Sequence, residues 1–189
     1  MGLAMPEGAD QKLAAYLALM AKWNRAYNLT AIDEADRVTH HLLDSLAVLP
    51  YLEGVANLAD VGSGAGLPGI PLAIVRPDLW VASIEASQKK SAFQQQAKIE
   101  LGLSNVSIHC GRAEELTGTF DAAISRAFAS LADFVRLAGR LTSRLFAMKG
   151  VYPAGEVAEL PEGWRLAASH ELTIPGLAAE RHLLILERT

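Results

Sequence analysis

The 189-residue sequence has a single cysteine, Cys110, so it cannot form an internal disulfide. His109 stands next to it, but no second pair of cysteine or histidine residues follows at the spacing of metal ligands. A core thiol and a histidine at a strand end are therefore the favoured interpretations of these two residues. The sequence indicates no metal site.

Long apolar runs and an excess of positive charge are also missing. No apolar run approaches the ~18 residues of a membrane-spanning helix, and the N-terminus lacks the charged and then apolar layout of a signal peptide. We therefore expect a soluble, cytoplasmic protein.

The 17 lysine and arginine residues are outnumbered by 21 aspartate and glutamate residues, so the formal net charge is -4. Any contact with nucleic acid must then come from a local basic surface rather than from the overall field.

The first fifty residues have a helical pattern. Residues 10–27 carry apolar side chains at three- and four-residue spacing, with Asp10 as a candidate N-cap, which predicts an amphipathic helix. A second helical pattern begins at Asp33 and is stopped by Pro50. We expect an N-terminal helical extension over residues 1–50 and one compact unit over residues 51–189.

From residue 55 onward, strand-like and helical segments alternate, which predicts an α/β fold with a mostly parallel sheet and helices on both faces. Two late strand-like segments, 164–172 and 182–187, have no helix signal near them and indicate an antiparallel hairpin at the end of the sheet. The other predicted strands cover residues 55–61, 80–85, 106–110, 120–125 and 145–149. The predicted helices begin at Gly69 and cover residues 88–101 and 131–140.

The glycine-rich turn after the first strand is the most informative segment. Asp60 ends an apolar strand, and Gly62, Gly64 and Gly66 follow before a helix begins. Glycines leave room for a ligand and permit backbone angles that a Cβ disfavours. The sequence from Gly64 to Gly69 also fits the G-x-G-x-x-G pattern of dinucleotide folds, with Glu85 at about the ~20-residue distance of a ribose-binding acid. An acid followed by alternating glycines is instead typical of S-adenosylmethionine (SAM) methyltransferases, so two ligand classes stay open.

Polar residues that follow the other strands are candidate ligand contacts, because ligands of such sheets bind at the carboxyl ends of the strands. Glu85 suits two ribose hydroxyls, since a carboxylate accepts two hydrogen bonds. Ala113 and Glu114 stand where the chain usually passes an adenine, although acids also favour a helix N-terminus. Arg126 needs an anionic partner, which is a ligand carboxylate, a phosphate or a structural acid such as Asp60.

Five separated motifs occur in a characteristic order: Asn28 to Ile32, His41 to Leu46, Asp60 to Val75, Ser125 to Leu131 and Met148 to Gly150, with Arg181 to Leu184 near the end. Together they resemble the RsmG (GidB) family of bacterial 16S ribosomal RNA guanine-N7 methyltransferases. The resemblance implies a class I, Rossmann-like fold with seven strands, SAM as cofactor, and 16S rRNA of the small ribosomal subunit as partner. It assigns cofactor contacts to Gly62, Leu67, Ala113, Glu114 and Arg126. His40 stands where the family has arginine, and Ala65 where proline is common.

The chemistry that the resemblance implies needs no catalytic base, because guanine N7 already carries an in-plane lone pair. Catalysis then depends on positioning the two reactants, and Arg126 and Lys149 are the candidate residues for this role. We expect the protein to be a monomer. Two other functions stay open, a non-catalytic RNA-binding or ribosome-assembly module and an NAD(P)-dependent oxidoreductase. The candidate RNA contacts are His41, Arg112, Arg126 and Lys149.

Overall fold

The computed structural model describes residues 5–126 and 128–189. The first predicted helix is α1, Ala9–Tyr27. Gly8, with a left-handed φ of 74°, precedes the helix, so the N-cap prediction for Asp10 is wrong. Asp10 lies in the first turn instead, where its carboxylate stabilises the helix by interacting with the positive end of the helix dipole. Asn28 ends the helix with a φ of 49°.

The second helical pattern folds into an irregular series of turns. A 3-10 turn over Glu34–Asp36 leads into a π-helical segment over Val38–Leu43, and the short helix α2, Asp44–Leu46, continues it. Pro50 does not stop this pattern but lies within a further 3-10 turn, Leu49–Tyr51, because proline fits an early position of a helical turn. π-Helical turns are rare in proteins, and those that occur are often found at functional sites.

As the sequence predicts, the described residues form one mostly parallel sheet of seven strands. The strands are β1 Asn57–Val61, β2 Trp80–Glu85, β3 Val106–Cys110, β4 Ala122–Arg126, β5 Arg144–Lys149, β6 Trp164–Glu171 and β7 His182–Arg188. Their order in the sheet is β3-β2-β1-β4-β5-β7-β6. Strand β7 runs antiparallel to its neighbours β5 and β6. The central position of β1 follows from its pairing with β2 on one side and β4 on the other.

In the ranges that the structure describes, four further helices complete the fold. They are α3 Gly69–Val75, α4 Gln88–Glu100, α5 Leu131–Ala138 and α6 Ala154–Ala158. The sequence interpretation missed α6, because its five residues are too few to show a helical period. Among the described residues, no helix has the length and apolar character that crossing a membrane requires.

Helix α1 shares the core of the sheet domain. Tyr16 is fully buried, its ring lies 6.0 Å from that of Phe93 in α4, and its hydroxyl donates a 2.6 Å hydrogen bond to the carbonyl of Ala65. Trp23, on the same helix, packs edge-on against Phe93 at 5.8 Å. The N-terminal segment therefore supports the glycine turn directly.

Candidate active site

Two cavities lie side by side at the carboxyl edge of the parallel strands. The glycine-turn cavity, of about 250 Å³, lies at the ends of β1, β2 and β3, and the arginine cavity, of about 360 Å³, lies at the ends of β4 and β5. The glycine-turn cavity is lined by Val61, Gly62, Ile84, Ala86, Gly111, Arg112, Ala113, Glu114, Phe128 and Leu137. The arginine cavity is lined by Ile32, His40, His41, Asp44, Arg126, Met148, Lys149, Gly150 and Arg181.

The glycine turn needs glycine for two different reasons. Gly62, Gly64 and Gly66 have φ angles of 70°, 60° and 89°, which a side chain disfavours. A Cβ on Gly66 would collide with Ile70, whereas a Cβ on Gly64 would meet open space. Leu67 is almost fully buried in the core and its backbone N–H donates to the carbonyl of Ser63 at 2.9 Å, so neither its side chain nor this N–H is open to a ligand. The space beside Gly64 is consistent with a ligand that approaches the backbone closely.

Gln94 holds the turn from below, and sequence reasoning missed it. Its side-chain amide donates to Ser63 Oγ and to the carbonyl of Gly64, both at 2.8 Å, and its Oε1 accepts a 2.5 Å hydrogen bond from Ser83. The residue is fully buried in α4. A lone buried glutamine in a helix carries no pattern that could have indicated this role.

Asp60 lies under the turn with no solvent exposure. Its Oδ2 accepts the backbone N–H of Gly69 at 2.8 Å, whereas Oδ1 has no hydrogen-bond partner within residues 5–126 and 128–189. Burial raises the pKa of this carboxyl to about 7, although the Gly69 hydrogen bond and the charge of Arg126 lower it. The predicted option of Asp60 as the structural acid for Arg126 is wrong, because Arg126 pairs with a different acid.

Glu85 joins the glycine turn to the start of α4. Its Oε2 accepts the N–H of Gly64 and its Oε1 the N–H of Ser87, both at 2.8 Å. Each carboxylate oxygen has a further lone pair and the side chain is half-buried, so ribose hydroxyls can still reach it. The acid therefore fixes the turn whether or not it also binds a ligand.

Ala113 and Glu114 form a 3-10 turn, Ala113–Glu115, along the glycine-turn cavity, and Arg112 lines the same cavity. The turn is held by Arg140 at the end of α5, whose guanidinium donates to the carbonyls of Ala113 at 2.5 Å and Leu116 at 2.8 Å. Arg140 therefore positions this side of the cavity.

The arginine cavity is organised by Asp44, which is almost fully buried. Its Oδ2 contacts Arg126 at 3.1 Å and its Oδ1 contacts Arg181 at 3.0 Å, so one carboxylate orients two cations. Arg126 also donates to the carbonyl of His40 at 2.9 Å. The role of Asp44 was missed, although it stands within the quoted motif from His41 to Leu46. Because the two arginines retain more than a fifth of their side-chain exposure, both still face the cavity.

Two predicted RNA contacts are placed differently. The His41 ring is buried and its Nε2 lies 2.9 Å from Thr30 Oγ1; burial lowers its pKa to about 4. A buried, neutral imidazole has no charge to offer a phosphate, which argues against the RNA role. The ammonium of Lys149 is bound by Glu156 at 2.9 Å and by the carbonyl of Phe128 at 3.2 Å. Only a tenth of the Lys149 side chain is exposed.

The sheet order, the glycine turn and the two cavities define the class I methyltransferase fold. Solved structures with this fold include a SAM-dependent methyltransferase from Aquifex aeolicus (TM-score 0.62, 19% identity, 88% of this chain and 97% of that chain covered). Another is the O-methyltransferase TomG from Streptomyces achromogenes in complex with SAM (TM-score 0.60, 16% identity, 92% and 89% covered).

The chain belongs to the GidB family, rRNA small subunit methyltransferase G, whose model matches residues 9–184. A relative from Aromatoleum aromaticum named ribosomal RNA small subunit methyltransferase G is 57% identical over 198 residues, covering all of this chain and 94% of the relative. The family prediction from the sequence motifs is therefore confirmed.

Proposed function

We propose that this protein transfers a methyl group from SAM to N7 of a guanine in 16S rRNA of the small ribosomal subunit. Family membership over almost the whole chain is the observation that carries this proposal. We propose that it acts as a monomer in the cytoplasm, where its substrate RNA is assembled into subunits. The fold and the paired cavities support a reaction between two ligands bound side by side.

The residues in and beside the glycine-turn cavity fit SAM. The open space beside Gly64 admits a ligand close to the backbone, and the half-buried Glu85 offers lone pairs to ribose hydroxyls. The turn at Ala113 and Glu114 supplies backbone groups to an adenine edge, and Arg126, in the neighbouring arginine cavity, can meet the ligand's carboxylate. When bound, SAM supplies an electrophilic methyl group on a sulfonium centre.

The arginine cavity is our proposed site for the guanine. It adjoins the glycine-turn cavity, and a base with a free N7 lone pair requires no side chain to remove a proton. The protein's task is then alignment and exclusion of water, which can supply up to roughly 7–11 kcal/mol of the barrier. Arg126 and Arg181, fixed by Asp44, are placed to meet anionic groups of the two ligands.

Arg112 is the exposed candidate for the RNA backbone beside the other cavity. Its side chain follows β3 at the same edge of the sheet. Phosphate contacts of this kind position an RNA without reading its sequence. We assign the specificity for one guanine to the arginine cavity rather than to such contacts.

Titration separates the proposal from its alternatives. SAM and S-adenosylhomocysteine should bind and raise the melting temperature, because a ligand at 100 times its Kd stabilises a fold by about 2.7 kcal/mol. Mass mapping of unmethylated small subunits incubated with SAM and protein should then find one added methyl on a 16S guanine. A shift with NADH alone would favour the oxidoreductase, and binding of SAM without methyl transfer to naked RNA or subunits would favour the non-catalytic module.

A further inference from the structure

The loop after β4 contributes one aromatic side chain to the glycine-turn cavity. Phe128 lines this cavity, and its ring packs against Phe134 of α5 with a centroid distance of 5.4 Å. The same ring lies 3.6 Å from the place where a Cβ on Gly62 would stand. Phe128 therefore forms a wall of the cavity that we assign to SAM, and residues 128–131 are the wall segment that carries it.

An ion pair binds the backbone of this wall segment at both ends. Glu156 of α6 accepts the backbone N–H of Leu131 at 2.7 Å and binds Lys149 Nζ at 2.9 Å. Lys149, at the end of β5, donates in turn to the carbonyl of Phe128 at 3.2 Å. Both ends of the four-residue segment are thus bound to the same lysine and glutamate.

The Lys149–Glu156 pair is partly buried, which suits it to holding the wall segment in place. Lys149 retains 10% of its side-chain exposure and Glu156 retains 31%, so the pair is better shielded from solvent than an ordinary surface pair. Each partner also satisfies a backbone group of the wall. A lysine committed in this way is poorly placed to neutralise an RNA phosphate.

We propose that Lys149 and Glu156 are positioning residues that hold Phe128 against the glycine turn and thereby set the affinity for SAM. This inference rests on the proposed function, because it places SAM in the glycine-turn cavity. It replaces the expectation that Lys149 is an RNA contact.

Glu156→Gln is the most direct test, since glutamine keeps an acceptor for Leu131 and removes the charge that binds Lys149. The Kd for S-adenosylhomocysteine by calorimetry and the KM for SAM should both rise about tenfold, the low end for a lost charge-assisted hydrogen bond. At saturating SAM, kcat on unmethylated small subunits should stay within about twofold of wild type. Lys149→Met should raise the same Kd and KM, with an unchanged salt dependence of methylation.

A double-mutant cycle tests the route through the ring. If Glu156 acts through Phe128, the effects of Glu156→Gln and Phe128→Ala on the Kd should be less than additive. The matched control is Arg165→Met, which breaks the exposed Arg165–Glu187 pair in the β6–β7 hairpin and should leave the Kd unchanged. Melting curves without ligand show whether each variant folds. If Lys149→Met does not fold, Glu156→Gln alone provides the test.

Three results would overturn the inference: an unchanged Kd in Glu156→Gln, additive effects in the cycle, or a salt slope lowered by about one in Lys149→Met with unaltered SAM affinity. The last result would return Lys149 to the RNA phosphates. Failure of the proposed function is distinguishable, because the wild-type protein would then bind no SAM or methylate no small subunit.

Discussion

The carboxylate of Asp60 and the backbone N–H of Gly69 are joined by a 2.8 Å hydrogen bond beneath the glycine turn. In the part of the chain that the structure describes, the other carboxylate oxygen of Asp60 has no hydrogen-bond partner, and the side chain is fully buried. The raised pKa of about 7 follows from this burial. His41 is the opposite case, since burial lowers its pKa to about 4.

These two groups should give opposite pH dependences of stability. The pKa of Asp60 rises from 3.8 to about 7 on folding, so its contribution to the unfolding free energy falls between those pH values. The pKa of His41 falls from 6.5 to about 4, so its contribution rises over that interval. Each slope is at most about 1.4 kcal/mol per pH unit, and the two therefore largely cancel from about pH 4 to 6.5.

Asp60→Asn should remove one of the two slopes. Relative to wild type, its unfolding free energy should rise with pH from about 4 to 7, and that of His41→Gln should fall from about 4 to 6.5. Urea unfolding at closely spaced pH values measures both. Differences that do not vary with pH would show that neither group titrates as its environment indicates.

Gly64→Val should abolish SAM binding while the protein stays folded. Its left-handed φ costs a side chain about 1–2 kcal/mol, and the new methyl groups would occupy the space beside the turn. Gly102→Val is a matched control, because Gly102 has a φ of 61° and also faces open space, but follows α4 away from the cavities. Calorimetry with S-adenosylhomocysteine should distinguish them, and equal affinities would place the ligand elsewhere.

Arg140→Ala should weaken SAM binding about tenfold, because it frees the turn that Arg140 holds through the carbonyls of Ala113 and Leu116. With saturating SAM, kcat should stay near wild type. Arg136→Ala is the control, since the Arg136 side chain is 73% exposed and pairs with Asp133 one turn away in α5. A similar loss in both variants, measured by calorimetry, would rule out a specific role for Arg140.

Asp44→Asn should lower the unfolding free energy by about 2 kcal/mol and reduce methyl transfer, since two arginines lose their shared carboxylate. Asp78→Asn breaks an exposed pair with Arg76 and should change stability by less than about 1 kcal/mol. Urea unfolding and methylation of small subunits measure the two effects. An Asp44→Asn protein with wild-type stability and activity would contradict this role.

Local pattern was sufficient for most of the fold. The predicted bounds of β2 and β3 agree with the structure, because a short strand-like run between flanking turns is a property of a few consecutive residues. The short helix α6 escaped because five residues show no period. The cap of α1 was misplaced because Asp10 and Gly8 both fit a helix start.

The sequence by itself determined the local order of residues at the glycine turn, which is an acid and three glycines between a buried strand and a helix. It also contains the motifs that assign the family. Only the tertiary structure decided which charges meet. Asp44 contacts Arg126 across 82 positions and Arg181 across 137, while Lys149 binds Glu156 rather than facing outward. Such partners depend on which strand ends share one edge of the sheet, and that is a property of the assembled fold rather than of any local stretch of chain.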